Sequence, residues 1–404
     1  MNIIVQKFGG SSVKDSSLRR LVIGHIINII KQEKIPVIVV SAMGDCGQPY
    51  STDKLIDLIK KENEEVSKRE IDQVMSCGEI IASAVLASGI QGRGYQAVSL
   101  TGQQAGIRTD GTYGKSEIVD IDTSLINNYI EQGVVVVVAG FQGVSPGGDI
   151  TTLGRGGSDT TAAALGAYLG ADRIELYTDV DGLMTADPKL VPQAEPIEEI
   201  TFQEIFLMAN EGAKIVHPRA VDFAMKNEIP LIIKKTESGK GGTKVVSNKP
   251  VKDNRMNITG IIHSCSLVQV IVPMNDFHSQ TEKITIFDAL NKTNIDPEMF
   301  DILEDRLIFV INGDDFTLVM NELEKRGLED TSFRNNCAKI TLLYSEQRKK
   351  NYMAFQALQV LSRENITLYQ TADSNIGTSF LLSQDELKKA VNLLHEYYYS
   401  EAIK

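Results

Sequence analysis

Cysteine is scarce in this chain of 404 residues. Cys46, Cys77, Cys265 and Cys337 lie far apart and form no CxxC pair. That excludes a disulfide scaffold and a thiolate zinc site, and it fits isolated thiols in a reducing compartment. No other residue pattern suggests a metal held by side chains. Long apolar runs are missing too: none approaches 18 residues, so no membrane span is expected. The first ten residues lead straight into a strand pattern, which leaves no signal peptide, and the expected location is the cytoplasm. Basic blocks are also lacking. The 41 Lys and Arg stand against 53 Asp and Glu, a net charge of -12. That balance argues against nucleic acid as a partner. A chain of this length exceeds one ordinary core, so two or three domains are expected.

What is present is organised around residues 153–186. The stretch opens with a glycine-rich turn, Gly154-Arg155-Gly156-Gly157-Ser158-Asp159. Upstream, residues 134–139 are an apolar run with five valines, which suits a strand buried on both faces. Downstream, residues 160–170 place Ala162, Leu165 and Leu169 on one helical face, with Ser158 or Asp159 able to cap it. Strand, glycine turn and helix N-terminus together offer free N–H groups and a positive dipole end, a site for phosphate. Arg155 and Asp159 have little structural purpose in one turn, which turns the reading toward a ligand. Thr178-Asp179-Val180-Asp181-Gly182 follows the next strand, where open α/β sheets bind ligands.

The rest of the N-terminal half repeats this alternation. A strand at residues 2–6 runs into Lys7-Phe8-Gly9-Gly10-Ser11-Ser12, then a helix over 16–31. Gly9 and Gly10 permit close backbone approach, and Lys7 offers a mobile charge. A strand at 36–40 ends in Ser41-Ala42-Met43-Gly44, and Ser51-Thr52-Asp53 can cap a helix over 54–61. A helix over 71–89 carries Glu79 among Ile80, Ile81 and Ala82, a place for an internal salt bridge or for a ligand. Residues 110–116 have the polar, glycine-rich composition of a mobile flap. Lys214 sits among apolar neighbours just before a turn and, taken alone, reads more readily as a snorkelling lysine than as a ligand. His217, before Pro218, reads as structural. Strands alternating with helices over about 235 residues predict a mostly parallel sheet covered on both faces.

Residues 236–255 change character to Gly, Lys, Ser and Pro, a boundary or surface loop. Beyond them a βαββα pattern occurs twice, which predicts two ferredoxin-like modules. The first can close with a strand near 331–334. The second has no strand left after its last helix, so the apolar residues 257–263 are expected to supply it. The first module is then inserted into the second.

Seven motifs, read in order, carry a resemblance. They are Lys7-Phe8-Gly9-Gly10-Ser11-Ser12, Ser41-Ala42-Met43-Gly44, Ser76-Cys77-Gly78-Glu79, Ala139-Gly140-Phe141-Gln142-Gly143, the 154–159 turn, Thr178-Asp179-Val180-Asp181-Gly182 and Thr185-Ala186-Asp187-Pro188. The chain resembles the aspartokinases, members of the amino acid kinase superfamily with two C-terminal ACT domains, over nearly its whole length. The long loop over 44–53 is most similar to monofunctional, diaminopimelate-sensitive members of Gram-positive bacteria. The resemblance implies a kinase domain over 1–235 and a linker over 236–255. It places a first ACT module at 264–336 and a second at 256–263 with 337–404.

It also implies transfer of the ATP γ-phosphoryl group to the side-chain carboxylate of L-aspartate. The product, 4-phospho-L-aspartate, leads to lysine, threonine, methionine and diaminopimelate. By the same resemblance Lys7 and Lys214 flank the transferring phosphoryl, Asp159 orients them, and Gly9, Gly10 and Ser11 contact phosphate through their backbone. Arg155 takes the substrate α-carboxylate and Glu79 its ammonium, with Ser41, Thr52 and Ser158 alongside. Thr178, Asp179, Met184, Asp187 and Lys189 hold the nucleotide, with Mg²⁺ bridging its phosphates. A feedback amino acid is implied: lysine or diaminopimelate, with threonine as a further candidate. Its candidate site is Asn275, Phe277, Thr371, Asp373 and Ser374. A homodimer or homotetramer through the ACT modules is implied as well. The usual Pro-Gly loop of those modules is absent from both Pro273-Met274-Asn275-Asp276-Phe277-His278 and Ser345-Glu346-Gln347-Arg348-Lys349. Acetylglutamate or glutamate 5-kinase is a rival in the same superfamily, without the paired modules. A non-catalytic amino-acid sensor is a rival from another class.

Overall fold

The computed structural model describes residues 2–44, 47–210, 216–239, 241–247, 258–274, 280–328, 330–344, 350–374 and 377–400. Lys214, Asn275 and Phe277 lie outside these. The chain divides into two compact units, Met1–Leu183 with Pro196–Lys252, and Met184–Glu195 with Asp253–Lys404. The segment Met184–Glu195 is therefore grouped with the C-terminal unit, although the sequence boundary at residue 235 kept it with the first.

The first unit begins with β1 (Ile3–Phe8), a single turn α1 (Gly10–Val13), α2 (Ser16–Lys31), β2 (Ile35–Val40), α3 (Thr52–Glu62), α4 (Lys68–Gln91) and β3 (Ala97–Leu100). Next come β4 (Ile107–Thr109), β5 (Ile118–Ile121), α5 (Ser124–Glu131), β6 (Val135–Ala139), β7 (Gln142–Val144), β8 (Ile150–Thr152), α6 (Gly157–Tyr168) and β9 (Arg173–Thr178). It ends with β10 (Glu199–Thr201), α7 (Phe202–Asn210), α8 (Pro218–Lys226), β11 (Leu231–Lys235) and β12 (Thr243–Val246). The main sheet has eight strands in the order β10-β12-β11-β9-β1-β2-β6-β3. Its pairings are parallel except β11 with β12. The valine run of β6 is buried throughout. Successive side chains of β1 alternate between faces. Phe8 packs with α2 and α4 residues such as Ile26 and Leu86. Val5 lies beneath α6, where Gly166 admits it, and Lys7 shares that face.

Several local expectations change. Residues 236–255, read as a linker, supply β12 to the sheet. Gly156, in left-handed backbone, precedes α6, so Ser158 and Asp159 sit inside the first turn and do not cap it. Ser51 precedes α3 without capping it, because its hydroxyl donates to the Gln48 carbonyl at 2.6 Å. A second sheet, β5-β4-β7-β8, was mostly unforeseen. The supposed flap is pinned: Gly114 N–H donates to Asp72 at 2.9 Å, and Ser116 N–H to the Thr152 carbonyl at 2.9 Å. Helix α4 is long and apolar enough to cross a membrane by length and composition. Here Ala82, Leu86, Ala87 and Ile90 pack against Val135 and Val137 in the core.

The second unit comprises β13 (Ile258–Pro273), α9 (Gln280–Thr293), β14 (Met299–Ile302), β15 (Arg306–Asn312), α10 (Phe316–Glu324), β16 (Ser332–Tyr344), α11 (Lys350–Arg363), β17 (Leu368–Asp373), β18 (Gly377–Ser383) and α12 (Leu387–His395). They form one six-stranded sheet, β14-β15-β13-β16-β18-β17. The first half of β13, from Ile258 to Ser264, pairs with Lys339 to Tyr344 of β16. The second half pairs with β15. Both long strands thus run through two ferredoxin-like modules. They kink where Ser266 and Asn336 adopt positive φ of 58° and 55°. Helices α9 and α10 pack on one module and α11 and α12 on the other. The half-sheets also touch across a seam that buries Leu267, Met299, Val310, Cys337 and Leu381 together and carries polar contacts, with Gln269 donating to Gln370 at 3.1 Å and the buried Lys339 paired with Glu298. Ala186 and Val191 of the grouped segment are buried among the core residues of the second module.

Candidate active site

The C-terminal ends of β1, β2 and β6 open on a cleft of about 740 Å³ in the first unit. Lys7, Gly10, Ser41, Thr52, Glu79, Arg155, Ser158 and Asp159 all line it. The fold brings these eight together for local reasons. The turn after β1 lies on the turn after β2: a side chain at Gly10 would meet the Ala42 carbonyl at 2.5 Å, so only glycine fits. Gly156 has φ 66°, and any Cβ there would overlap His217 at 2.1 Å. That geometry delivers Gly157 and Ser158 to the start of α6. The Gly157 N–H donates to the Gly154 carbonyl at 3.0 Å, so the N–H groups of Ser158 and Asp159 and the positive dipole end are what can serve an anion. His217 itself accepts from Arg219 N–H and starts α8, a structural role.

Lys7 and Asp159 form a pair at 2.7 Å, both mostly buried. Their contact follows from the alternation of β1, which sends Lys7 toward α6. Arg155 is exposed and makes no ion pair among the described residues. Glu79 is the opposite case, only 3% exposed. Its Oε1 accepts from Ala42 N–H at 2.9 Å. Its Oε2 is buried without a hydrogen-bond partner. Burial pushes this carboxyl up to about 8, only partly opposed by the Ala42 bond. Of the two readings left open for Glu79, the internal salt bridge is therefore absent among the described residues. Among the described residues the cleft thus holds an unpaired guanidinium and an unpaired buried carboxyl, with a lysine beside a glycine turn.

Thr178 and Asp179 sit one strand over, at the end of β9, where Gly9 N–H donates to the Tyr177 carbonyl at 3.4 Å. They do not line the cleft, nor do Gly9 and Ser11. Met184, Asp187 and Lys189 belong to the segment grouped with the second unit. There Asp187 accepts from Lys189 N–H at 2.9 Å. Among the effector candidates, Asp373 accepts from Thr378 at 2.6 Å, Ser374 N–H donates to the Gly377 carbonyl at 2.8 Å, and Thr371 is exposed. Sequence reasoning missed Asp53, Ile56, Met75, Gly114 and Phe141 as lining residues. Phe141 had a signal, since it lies inside one of the quoted motifs, and it adopts positive φ of 71° beside the cleft. No group of three His, Cys, Asp or Glu side chains suited to a metal occurs among the described residues.

Residues 2–235 match the amino acid kinase family. Aspartokinase 1 of Bacillus subtilis is 38% identical over 404 residues, covering 98% of this chain and 99% of that protein. Among solved structures, E. coli aspartokinase III in complex with aspartate and ADP superposes with a TM-score of 0.81 at 23% identity, covering 98% of this chain and 99% of that one. The same enzyme in complex with lysine and aspartate gives 0.77 at 23% identity, covering 99% and 100%. These two likenesses establish the shared fold.

Proposed function

The chain belongs to the amino acid kinase family and, within it, to the aspartokinases, and on that premise we propose how its cleft moves the γ-phosphoryl group of ATP to the side-chain carboxylate of L-aspartate. The observation that carries the reading is an unpaired guanidinium and an unpaired buried carboxyl in one cleft, among the described residues. Arg155 matches an α-carboxylate by its planar fork, and the buried Glu79 matches an α-ammonium. A substrate needing both is a free amino acid. An acetylated one has lost the ammonium, which separates this reading from the acetylglutamate kinase alternative. Thr52, Ser41 and Ser158 offer hydroxyls along the same wall.

Two anions must meet in this reaction, so catalysis consists chiefly of positioning and charge stabilisation. Lys7, held by Asp159, faces the glycine turn and would lie beside the transferring phosphoryl, with Lys214 as its proposed companion. The attacking carboxylate is already ionised at neutral pH, so no general base is required. Gly10 and Ser11 would cradle phosphate by their N–H groups, joined by Gly9 once its N–H leaves the Tyr177 carbonyl, a long bond at 3.4 Å. Thr178, Asp179, Met184, Asp187 and Lys189 are the proposed nucleotide contacts. Mg²⁺, when bound, neutralises phosphate charge. The donor set here suits an ion carried mainly by the phosphates, because the described residues lack a metal cluster of their own. A coupled assay of ADP release with L-aspartate and with N-acetylglutamate tests the reading. Turnover with the second alone would overturn it. The thiols of Cys77, Cys265 and Cys337 are free, which suits a cytoplasmic setting.

Arg155→Ala is expected to raise KM for aspartate by about 2–3 kcal/mol, the lower part of the range for a lost charge pair, because the guanidinium remains open to water. KM for ATP should hold steady. A rise in KM for ATP alone would remove Arg155 from the amino-acid site.

Feedback control is proposed through the paired modules, with lysine or diaminopimelate as ligand and threonine as a further candidate. Homodimers or homotetramers joined through these modules would give the ligand two conformations to choose between. Such control requires differential affinity, with coupling of about 1–3 kcal/mol. In Asp373→Ala the half-inhibitory lysine concentration should rise about tenfold, with uninhibited turnover unchanged. An unaltered inhibition curve would exclude the turn at Asp373 from the effector site.

A further inference from the structure

Helix α4 carries a second buried carboxylate on the same stripe as Glu79, two turns earlier. Asp72 is 0% exposed. No cation is paired with it among the described residues, and its partners are a strand end and a loop. Oδ2 accepts from Gly114 N–H at 2.9 Å and from Thr152 N–H at 2.8 Å. Oδ1 accepts from the Thr152 hydroxyl at 2.9 Å. Thr152 ends β8, and three residues later stands Arg155. Gly114 lines the cleft, and its carbonyl lies 3.0 Å from where a Cβ on Gly154 would be. One carboxylate therefore ties the loop at 114 to the strand that leads into the Arg155 turn. The N-terminal turn of α4 adds an outer tether, because Arg69 donates to Asp149 at 2.8 Å and Tyr113 donates to the same carboxylate at 2.9 Å.

We propose that Asp72 is a positioning residue for the amino-acid half of the cleft, acting through the turn that carries Arg155. The inference rests on the reading of Arg155 as the α-carboxylate partner. The physical case is one of placement. Asp72 leaves two backbone donors satisfied in a dry interior, and removing it would orphan both. The strand end and loop would then shift to find other partners. A misplacement of about 1 Å near a reacting group can cost on the order of 10²-fold. The nucleotide turn after β1 has no hydrogen bond to Asp72, so the cost should fall on aspartate alone. Asparagine is the informative conservative change. Its carbonyl can accept both N–H groups while its amide donates to the Thr152 hydroxyl, so the anchor survives without the charge.

The test is steady-state kinetics on the full chain. Asp72→Ala should raise KM for L-aspartate tenfold or more and change KM for ATP less than about twofold. Asp72→Asn should retain most of the wild-type KM. In an Arg155→Ala background the added penalty of Asp72→Ala should shrink to within about twofold, because the two act as one unit. If Asp72→Ala does not fold, Asp72→Glu displaces the same anchor by one methylene and should show the same selective rise. Equal rises in both KM values, an unchanged KM for aspartate, or a penalty undiminished in the Arg155→Ala background would overturn the role of Asp72. Failure of the wild type to turn over L-aspartate would overturn the reaction itself and this role with it.

Discussion

In Lys7→Ala, kcat is expected to fall by about 10²–10³-fold, the usual cost of losing one preorganised charge at a transition state. The protein should stay folded. Lys7 is not a core packing residue: it stands one residue before the end of a strand whose neighbours on both sides, β2 and β9, pair through the backbone. Its loss leaves Asp159 without its partner at 2.7 Å. Asp159 would then point uncompensated negative charge at the place where the phosphoryl group crosses, so the rate loss has two parts. The double variant Lys7→Ala with Asp159→Asn separates them. It should recover some of the rate if repulsion by the orphaned Asp159 contributes. Lys7→Arg keeps the charge but not the compact ammonium, and should recover little. Unfolding curves and kcat on the same preparations check both halves. A Lys7→Ala enzyme retaining more than about a tenth of wild-type kcat would exclude Lys7 from phosphoryl transfer.

Much of this was legible in the chain alone, because apolar runs and glycine turns report local rules. The valine run of β6, the Lys7 turn and the Arg155 turn all follow from strand burial and from backbone approach that only glycine allows. What was illegible depends on partners distant in sequence. β12 is four residues in a stretch rich in Gly and Lys, and it becomes a strand only by pairing with β10 and β11. The sheet of β4, β5, β7 and β8 is built from three- and four-residue pieces too short for any period to declare itself. Asp72 is the instructive omission. It falls on the stripe Asp72, Met75, Glu79, Ala82, Leu86 and Ile90, all buried on one face of α4. Read by helical spacing, a carboxylate on that stripe demands a partner, and Glu79 raised the same question seven residues later. The grouping of Met184–Glu195 with the second unit depends on Ala186 and Val191, two small apolar side chains that carry no address in the sequence.

Glu79→Gln should separate stability from binding. In the wild type the carboxyl is held protonated up to about pH 8 by burial, whereas in the unfolded chain it ionises near its ordinary 4.5. The folded state therefore keeps a proton that the unfolded state releases between these values. Stability from this group is complete below about pH 4.5, declines as pH rises, and levels off above about 8. Each unit of that interval is worth about 1.36 kcal/mol. Glutamine keeps the acceptor for Ala42 N–H and cannot ionise, so the variant should be the more stable protein at pH 8, by a few kcal/mol. Binding should move the other way. An α-ammonium needs the ionised carboxylate, so aspartate must expel the proton below about pH 8. Wild-type KM for aspartate should fall from pH 6 to 8 and then flatten, with close to one proton released per aspartate at pH 7. The other charged side chains lining the cleft are Lys7, Arg155, Asp159 and Asp53. Glu79→Gln should raise KM for aspartate by about 10²-fold or more and abolish both the pH slope and the proton release. Calorimetry in two buffers of different ionisation enthalpy reads the proton directly. A wild-type KM independent of pH between 6 and 8.5, or a glutamine variant with unchanged KM, would remove Glu79 from the ammonium site.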